Sequence, residues 1–383
     1  MPTDRVASSN LSLILERLHR GGQASRAELT RETGLNRSTI AALVAELADR
    51  RIVEEQEPVA TNLVGRPSPI VNLCDKIVAV AVVPEVDALN VGVVSFRGEL
   101  LKRIRFETEK PPTAKEAVAI VKALVEGLSE SLDTLYECVG IGVAVPGLVR
   151  ASDGFVRWVP HFEWRDVPLA EQMQQATGLP VLAANDANLG AVAEHIFGAG
   201  RGISNMLYMN GGASGIGGGI IADDRLLHGV AGYAGEFGHN LVATPAALGN
   251  SGDDELERVV SRRRLLAALG TKSASDDELE RMLQQSIDPA VKLETHRQLG
   301  VLSVGVRNMI NILNPERVVL GGFLGVLLDL ERDYFLEILA EHTLAPNYGE
   351  VEVVRAGLGS DLLFIGAAEL QFQALIERAH LHR

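Results

Sequence analysis

The sequence predicts an α/β protein in which a small module of three helices and a β-wing precedes a much larger body of alternating strands and helices. Three observations predict it. At 383 residues the chain is too long for one ordinary domain. Its hydrophobic period is helical over the first fifty residues and switches to alternating strand and helix patterns beyond residue 73. Its charge divides at the same place: residues 1–72 hold nine basic and nine acidic residues, so the net charge of −14 falls entirely on the 27 basic and 41 acidic residues that follow.

That division bears on partners. A chain this acidic repels nucleic acid as a whole, whereas a neutral N-terminal module can approach it with its basic groups gathered on one face. No apolar run approaches the ~20 residues of a membrane span. The polar start (MPTDRVASSN) lacks the apolar core of a secretion signal. Cys74 and Cys138, far apart and outside any C-x-x-C pair, read as reduced thiols, so a cytoplasmic protein is expected.

In the module, Leu11, Ile14, Leu15 and Leu18 make one apolar helix face that Gly21-Gly22 end. Ser25 and Glu28 form a capping box for a second helix, which Gly34 stops. Asn36 caps a third, with Ile40, Leu43, Val44 and Leu47 on one side and Ser38, Ala42, Ala45 and Asp49 opposite. Small outward residues let a helix sink into a major groove about 12 Å wide, and Arg37, Ser38 and Thr39 at its start suit phosphates and base edges. Ile52-Val53 and Ile70-Val71 read as strands around a loop whose Arg66 suits a minor groove. Any three-helix bundle can show glycine turns and small surface residues; caps, spacing and wing together distinguish this one. The stretch from Ser25 to Asp49, with the wing, resembles winged helix-turn-helix regulators. Arg37, Ser38, Thr39, Ala42 and Arg66 are therefore the candidate DNA-binding residues, and operator DNA is the implied partner.

The body shows strands at Val139–Val145, Val181–Ala183, Met206–Met209 and Val318–Leu320, and helical patterns over Ala114–Leu132, Lys292–Leu313 and Leu362–Ala379. Residues 249–254 form a polar loop. Four clusters lie along it. Residues 140–147 (GIGVAVPG) run a strand into a Pro-Gly turn where backbone can approach a ligand. Asn185-Asp186-Ala187-Asn188 places an amide and a carboxylate at a strand's C-terminal edge, where open α/β sheets bind ligands, though an exposed turn explains it about as well. Residues 215–220 (GIGGGI) are either a phosphate cradle or a glycine-rich strand bend. Residues 232–239 (GYAGEFGH) offer Glu236 and His239, a carboxylate and an imidazole suited to neighbouring sugar hydroxyls, although a lone histidine is more often structural or metal-linked.

In this order, and followed by LNPERVVLGG from Leu313, the clusters resemble the ROK family of sugar kinases and repressors across nearly all of residues 73–383. The resemblance implies an actin-like body of two ribonuclease-H-like lobes, about 73–185 with the C-terminal helix and about 186–361, behind a winged helix-turn-helix at 1–72. It also implies a sugar held by Asn185, Asp186, Glu236 and His239. In kinase members the residue matching Asp186 is the general base of transfer from ATP.

Two departures follow. Where kinases carry an Asp-x-Gly-Gly-Thr loop, residues 80–87 (VAVVPEVD) have no glycine, Pro84 lacks an amide donor and Glu85 repels phosphate, so no ATP chemistry and no catalytic residue is expected. Where members hold zinc on a Cys-x-Cys-Gly-x-x-Gly-Cys-x-Glu segment, residues 248–257 contain no cysteine. No metal or other cofactor is expected, and Glu257, or Glu255, stands in for the motif's sugar-binding Glu. The resemblance thus implies a DNA-binding regulator of carbohydrate metabolism, a repressor first, acting as a dimer or tetramer under a sugar or sugar derivative. The alternatives are a sugar kinase with a fused DNA-binding module and a ligand-independent regulator with a vestigial pocket.

Overall fold

The computed structural model describes residues 10–57, 68–242 and 255–379, the side chains of residues 131 and 133 aside. Arg66 and most of the loop expected at 248–257 lie outside the described residues. The N-terminal module contains α1 (Asn10–Gly21), β1 (Ala24–Ser25), α2 (Arg26–Thr33), α3 (Arg37–Asp49), β2 (Val53–Gln56) and β3 (Ile70–Leu73). Its local chemistry is as expected: Ser25 and Glu28 cap α2 reciprocally, Gly34 ends it at φ 71°, and Asn36 caps α3 by accepting from Thr39 N. The wing strands β2 and β3 pair antiparallel from Val53↔Leu73 to Gln56↔Ile70. α1 buries its predicted stripe and, beyond it, Ser12 and His19.

Next come β4 (Ile77–Glu85), β5 (Ala88–Ser95), β6 (Leu100–Glu107), α4 (Ala114–Leu135), β7 (Glu137–Val145), β8 (Leu148–Arg150), β9 (Phe155–Val159), β10 (Trp164–Val167), α5 (Leu169–Thr177) and β11 (Val181–Asn185). β4 is apolar from Ile77 to Val83 and buried throughout, as a central strand covered on both faces must be. The remaining elements are α6 (Asp186–Phe197), β12 (Met206–Gly211), β13 (Ile216–Ala222), β14 (Arg225–Leu226), α7 (Leu256–Val259), α8 (Arg262–Ala268), α9 (Asp276–Gln285), α10 (Pro289–Leu313), β15 (Arg317–Gly321), α11 (Gly322–Leu330), α12 (Arg332–His342), α13 (Ala345–Glu350), β16 (Glu352–Arg355) and α14 (Leu362–Arg378). The two five-stranded sheets, β11-β7-β4-β5-β6 and β14-β13-β12-β15-β16, repeat one order, with the first strand of each set central and its two successors to one side. This duplication is what the two-lobed expectation requires.

The described residues divide into two compact units: one drawn from Met1–Ala144, Val167–Ala183 and Ala367–Arg383, the other from Val145–Asp166 and Ala184–Gly366. The N-terminal module belongs to the first unit together with the first sheet. The small sheet β10-β9-β8 belongs to the second, because Asn185 Nδ2 donates to the Gly147 carbonyl and Ala151 N to that of Ala231. α14 leaves the second unit for the first at Ala367.

Several glycines of two clusters are required by packing. A Cβ on Gly142 would stand 1.7 Å from the Ala367 carbonyl oxygen, so β7 is glycine-rich because α14 lies on it. Of residues 215–220, 216–220 belong to β13, the glycine-rich strand of the two alternatives. Gly217 and Gly219 sit under Ala187 and Ala191 of α6, and Gly218 faces Phe237 on the other side.

Candidate functional site

On α3, Arg37, Ser38, Ala42, Ala45 and Asp49 are exposed and Thr39 is half-buried, while Ile40, Val44 and Leu47 are buried. Asn36 Oδ1 accepts from Thr39 N at 2.9 Å and from Ser38 Oγ at 2.7 Å. The helix start is therefore held rigidly with Arg37 outward, and the small-residue face is open.

The second constellation forms where β11 ends. Asn185 caps α6: its Oδ1 accepts from Asn188 N at 2.9 Å, and its Nδ2 donates to the Gly147 carbonyl at 3.1 Å and to Asp186 Oδ1 at 3.3 Å. Asp186, half-buried, also accepts from Ala187 N at 2.8 Å. Burial, reinforced by the charge of Glu236, outweighs that hydrogen bond and pushes the Asp186 carboxyl up to about 7. Burial raises Glu236 as well, with Glu257 adding to the effect and His239 opposing it. Glu257 accepts from Ile216 N at 3.2 Å, and His239 Nδ1 lies 3.8 Å from Glu255 Oε1 and 4.0 Å from Glu257 Oε1. Gly215, Gly235 and Gly238 permit this convergence, since a Cβ on any of them would collide with Glu257 or with the backbone of β13.

Asn185, Asp186, Glu236, His239 and Glu257 thus share one locality, with Glu255 beside them. It is rich in acceptors and acidic, suited to hydroxyl donors and hostile to anions. Sequence reasoning missed two contributors. One is the Gly147 carbonyl that orients Asn185. The other is Tyr208, fully buried in β12 beside Gly190 and Gly321, whose hydroxyl has no hydrogen-bond partner among the described residues. Burial and the charges of Glu194 and Asp186 push its phenol up. Its only signal, the continuous apolar run of residues 206–209, reads as core.

A structural zinc of the family's kind fits poorly here. His239, Glu255 and Glu257 bring one nitrogen and two carboxylates within 4.8 Å, but Glu257 is already engaged with backbone, and the chain's two cysteines lie at 74 and 138. The phosphate loop fares likewise. β4 and β5 close tightly, Glu85 opposite Ala88, around Val86-Asp87, and Arg105 of β6 reaches Glu85 Oε2 at 2.6 Å and Asp87 Oδ2 at 2.9 Å. Its tip presents two carboxylates and a cation already paired with them.

Comparison with known proteins places the chain. Residues 85–374 match the ROK family. The xylose repressor of Bacillus subtilis (strain 168) is 29% identical over 321 residues, 82% of each chain. A crystal structure of a ROK family transcriptional regulator, a homologue of the E. coli MLC protein, matches over 97% of both chains with a TM-score of 0.79; at 22% identity this is a likeness of fold. A ROK family glucokinase from Streptomyces griseus, solved with glucose and AMPPNP, covers 77% of this chain and 99% of its own, with a TM-score of 0.62 and 27% identity. Regulators and kinases alike are relatives. No helix among the described residues is long and apolar enough to cross a membrane. With the family matched over three quarters of its length and the strand order duplicated as a two-lobed actin-like body demands, this chain belongs to the ROK family.

Proposed function

We propose that this ROK protein is a DNA-binding repressor of sugar-metabolism genes, acting in the cytoplasm, whose effector is a neutral sugar, D-xylose first among candidates. The observation that carries the reading is the face of α3: a capped helix start bearing Arg37, Ser38 and Thr39, followed by exposed Ala42 and Ala45, suits a major groove. The repressor relative supports the sign of regulation and the choice of pentose. The acidity around Asp186, Glu236, Glu255 and Glu257 supports a neutral ligand over a sugar phosphate. Two copies would set their α3 helices in successive major grooves of a pseudo-palindromic operator.

Fluorescence anisotropy on a duplex from the region upstream of the gene, at stated salt, tests this. Selective, salt-sensitive binding is expected, lost in Ala42→Glu, which sets a carboxylate on the groove face, and weakened by D-xylose but not by xylose phosphate. Sequence-indifferent binding, or none, would refute it. A second reading, a sugar kinase with a fused DNA-binding module, draws on Asp186, since a carboxyl near 7 suits a general base. Turnover of ATP with D-xylose or D-glucose, abolished in Asp186→Asn, would favour that reading, and the paired hairpin at Glu85 and Asp87 leads us to expect none.

A further inference from the structure

Helix α1 docks through a polar lock that DNA recognition does not use. Ser12 Oγ donates to the Ile376 carbonyl of α14 at 2.7 Å, and Arg50, just past α3, donates to the Ala379 carbonyl at 2.6 Å. His19 Nδ1 donates to the Phe96 carbonyl at 2.9 Å, and its Nε2 lies 2.9 and 3.0 Å from the two carboxylate oxygens of Glu369. The His19 and Glu369 side chains are 0% and 1% exposed, with the rings of Phe96 and Phe372 against the imidazole. Desolvation makes such a buried couple a poor source of stability compared with apolar packing; its use is to specify one geometry, because neither partner tolerates losing the other.

α14 is held at two other places along its length. Three residues before Glu369, Gly366 rests directly on α6, where a Cβ would stand 2.5 Å from the Leu189 carbonyl oxygen. Two residues after it, Gln371 Nε2 donates to the carbonyls of Ile141 in β7 and Pro180, just ahead of β11, at 2.7 and 3.2 Å. α6 begins at Asp186, and β11 delivers Asn185. We propose that α14 transmits ligand occupancy to the DNA-binding module: a ligand engaging Asp186 displaces α6 against Gly366, and the His19–Glu369 lock carries the displacement into α1. A continuous helix is stiff enough to do so, and the lock gives the module a discrete docked position to leave. The proposal rests on the regulatory reading above.

A double-mutant cycle tests it without knowledge of the effector. Gly366→Ala forces α14 and α6 apart far from any DNA-contacting residue. In the full chain it should change affinity for the upstream duplex at least about fivefold. In a Glu369→Gln background the same substitution should change it less than about twofold. Leu189→Ala, which empties that contact where Gly366→Ala fills it, runs the same cycle if the alanine at 366 prevents folding, as circular dichroism would reveal. Equal effects in both backgrounds, or none in either, would overturn the proposal. A wild-type chain without selective DNA binding would overturn the regulatory reading, and this one with it, before any variant is made.

Discussion

Helix α6 carries two carboxylates in opposite circumstances. Glu194, near its end, is fully buried and accepts from the backbone N–H groups of Ala199 at 2.7 Å, Gly357 at 2.9 Å and Leu358 at 2.9 Å. Asp186, at its first residue, is half-buried and accepts one backbone N–H, from Ala187, with a longer bond from the Asn185 amide. Glu194 has its donors built in and fixes the loops that supply them. Asp186 is short of donors, and burial drives its carboxyl up toward neutrality. A buried charge whose hydrogen bonds are complete is architecture; one left wanting donors is a place for a ligand that brings them.

The largest effect should come from breaking the complete set. Glu194→Ala leaves three backbone N–H groups facing a cavity, each costing about 1–3 kcal/mol when buried without a partner, so a loss on the order of 3 kcal/mol or more in urea unfolding is expected. A loss below 1 kcal/mol would mean that water replaces the carboxylate and that the contrast between the two residues is one of degree.

Asp186→Asn should act in the opposite direction. The carboxyl's pKa is about 7 in the folded chain against an ordinary 3.8, so between roughly pH 4 and 7 the folded state keeps a proton that the unfolded chain releases. The stability this confers is complete below about pH 4, declines as pH rises, and is gone above about 7. The wild type should therefore lose on the order of a few kcal/mol across that window from this group, and Asp186→Asn should lack that slope and be the more stable at pH 8. Sugar affinity should rise with pH through 7, because the ionised form is the better acceptor of a hydroxyl proton, and should fall at least about tenfold in the variant. Parallel pH profiles for the two proteins would remove Asp186 from the ligand site.

How far the sequence revealed these features depends on how far apart in the chain the cause lies. The capping box of α2 and the cap of α3 are set by residues three positions apart and were legible. Hydrophobic period gave the strands β7, β11, β12 and β15, but β4, β5 and β6 were not read, and the duplicated two-lobed body was implied only by the family resemblance. Glu194 was not legible, since a Glu in a helical pattern reads as solvated, and its partners at 357 and 358 lie more than 160 residues away. Ser12 and His19 lie outside the apolar stripe of α1, and nothing near them in sequence signals their burial, because α14 closes over them from residues more than 340 positions away. The glycines of β7 invited a ligand reading for the same reason: what approaches Gly142 is Ala367, and spacing within residues 140–147 holds no trace of it. Asn185 was recognised as a polar group at a strand edge, but not as the cap that starts α6, although its own Asn188 is only three residues on.

The smallest effect belongs to the hairpin. Glu85 and Asp87 are carboxylates like Asp186, but they are about half exposed or more and their donor is Arg105, itself 40% exposed. Water can replace that partner at little cost, so Arg105→Ala should destabilise by less than about 1 kcal/mol, should do so less at high salt, and should leave sugar affinity unchanged. The same variant sharpens the question of what the hairpin can hold. A triphosphate would have to win Arg105 from two carboxylates and then lie against them, so MgATP should not raise the melting temperature of either protein. Were the wild type stabilised by MgATP and Arg105→Ala not, Arg105 would be exchanging partners, and the hairpin would rank with Asp186 as a ligand site.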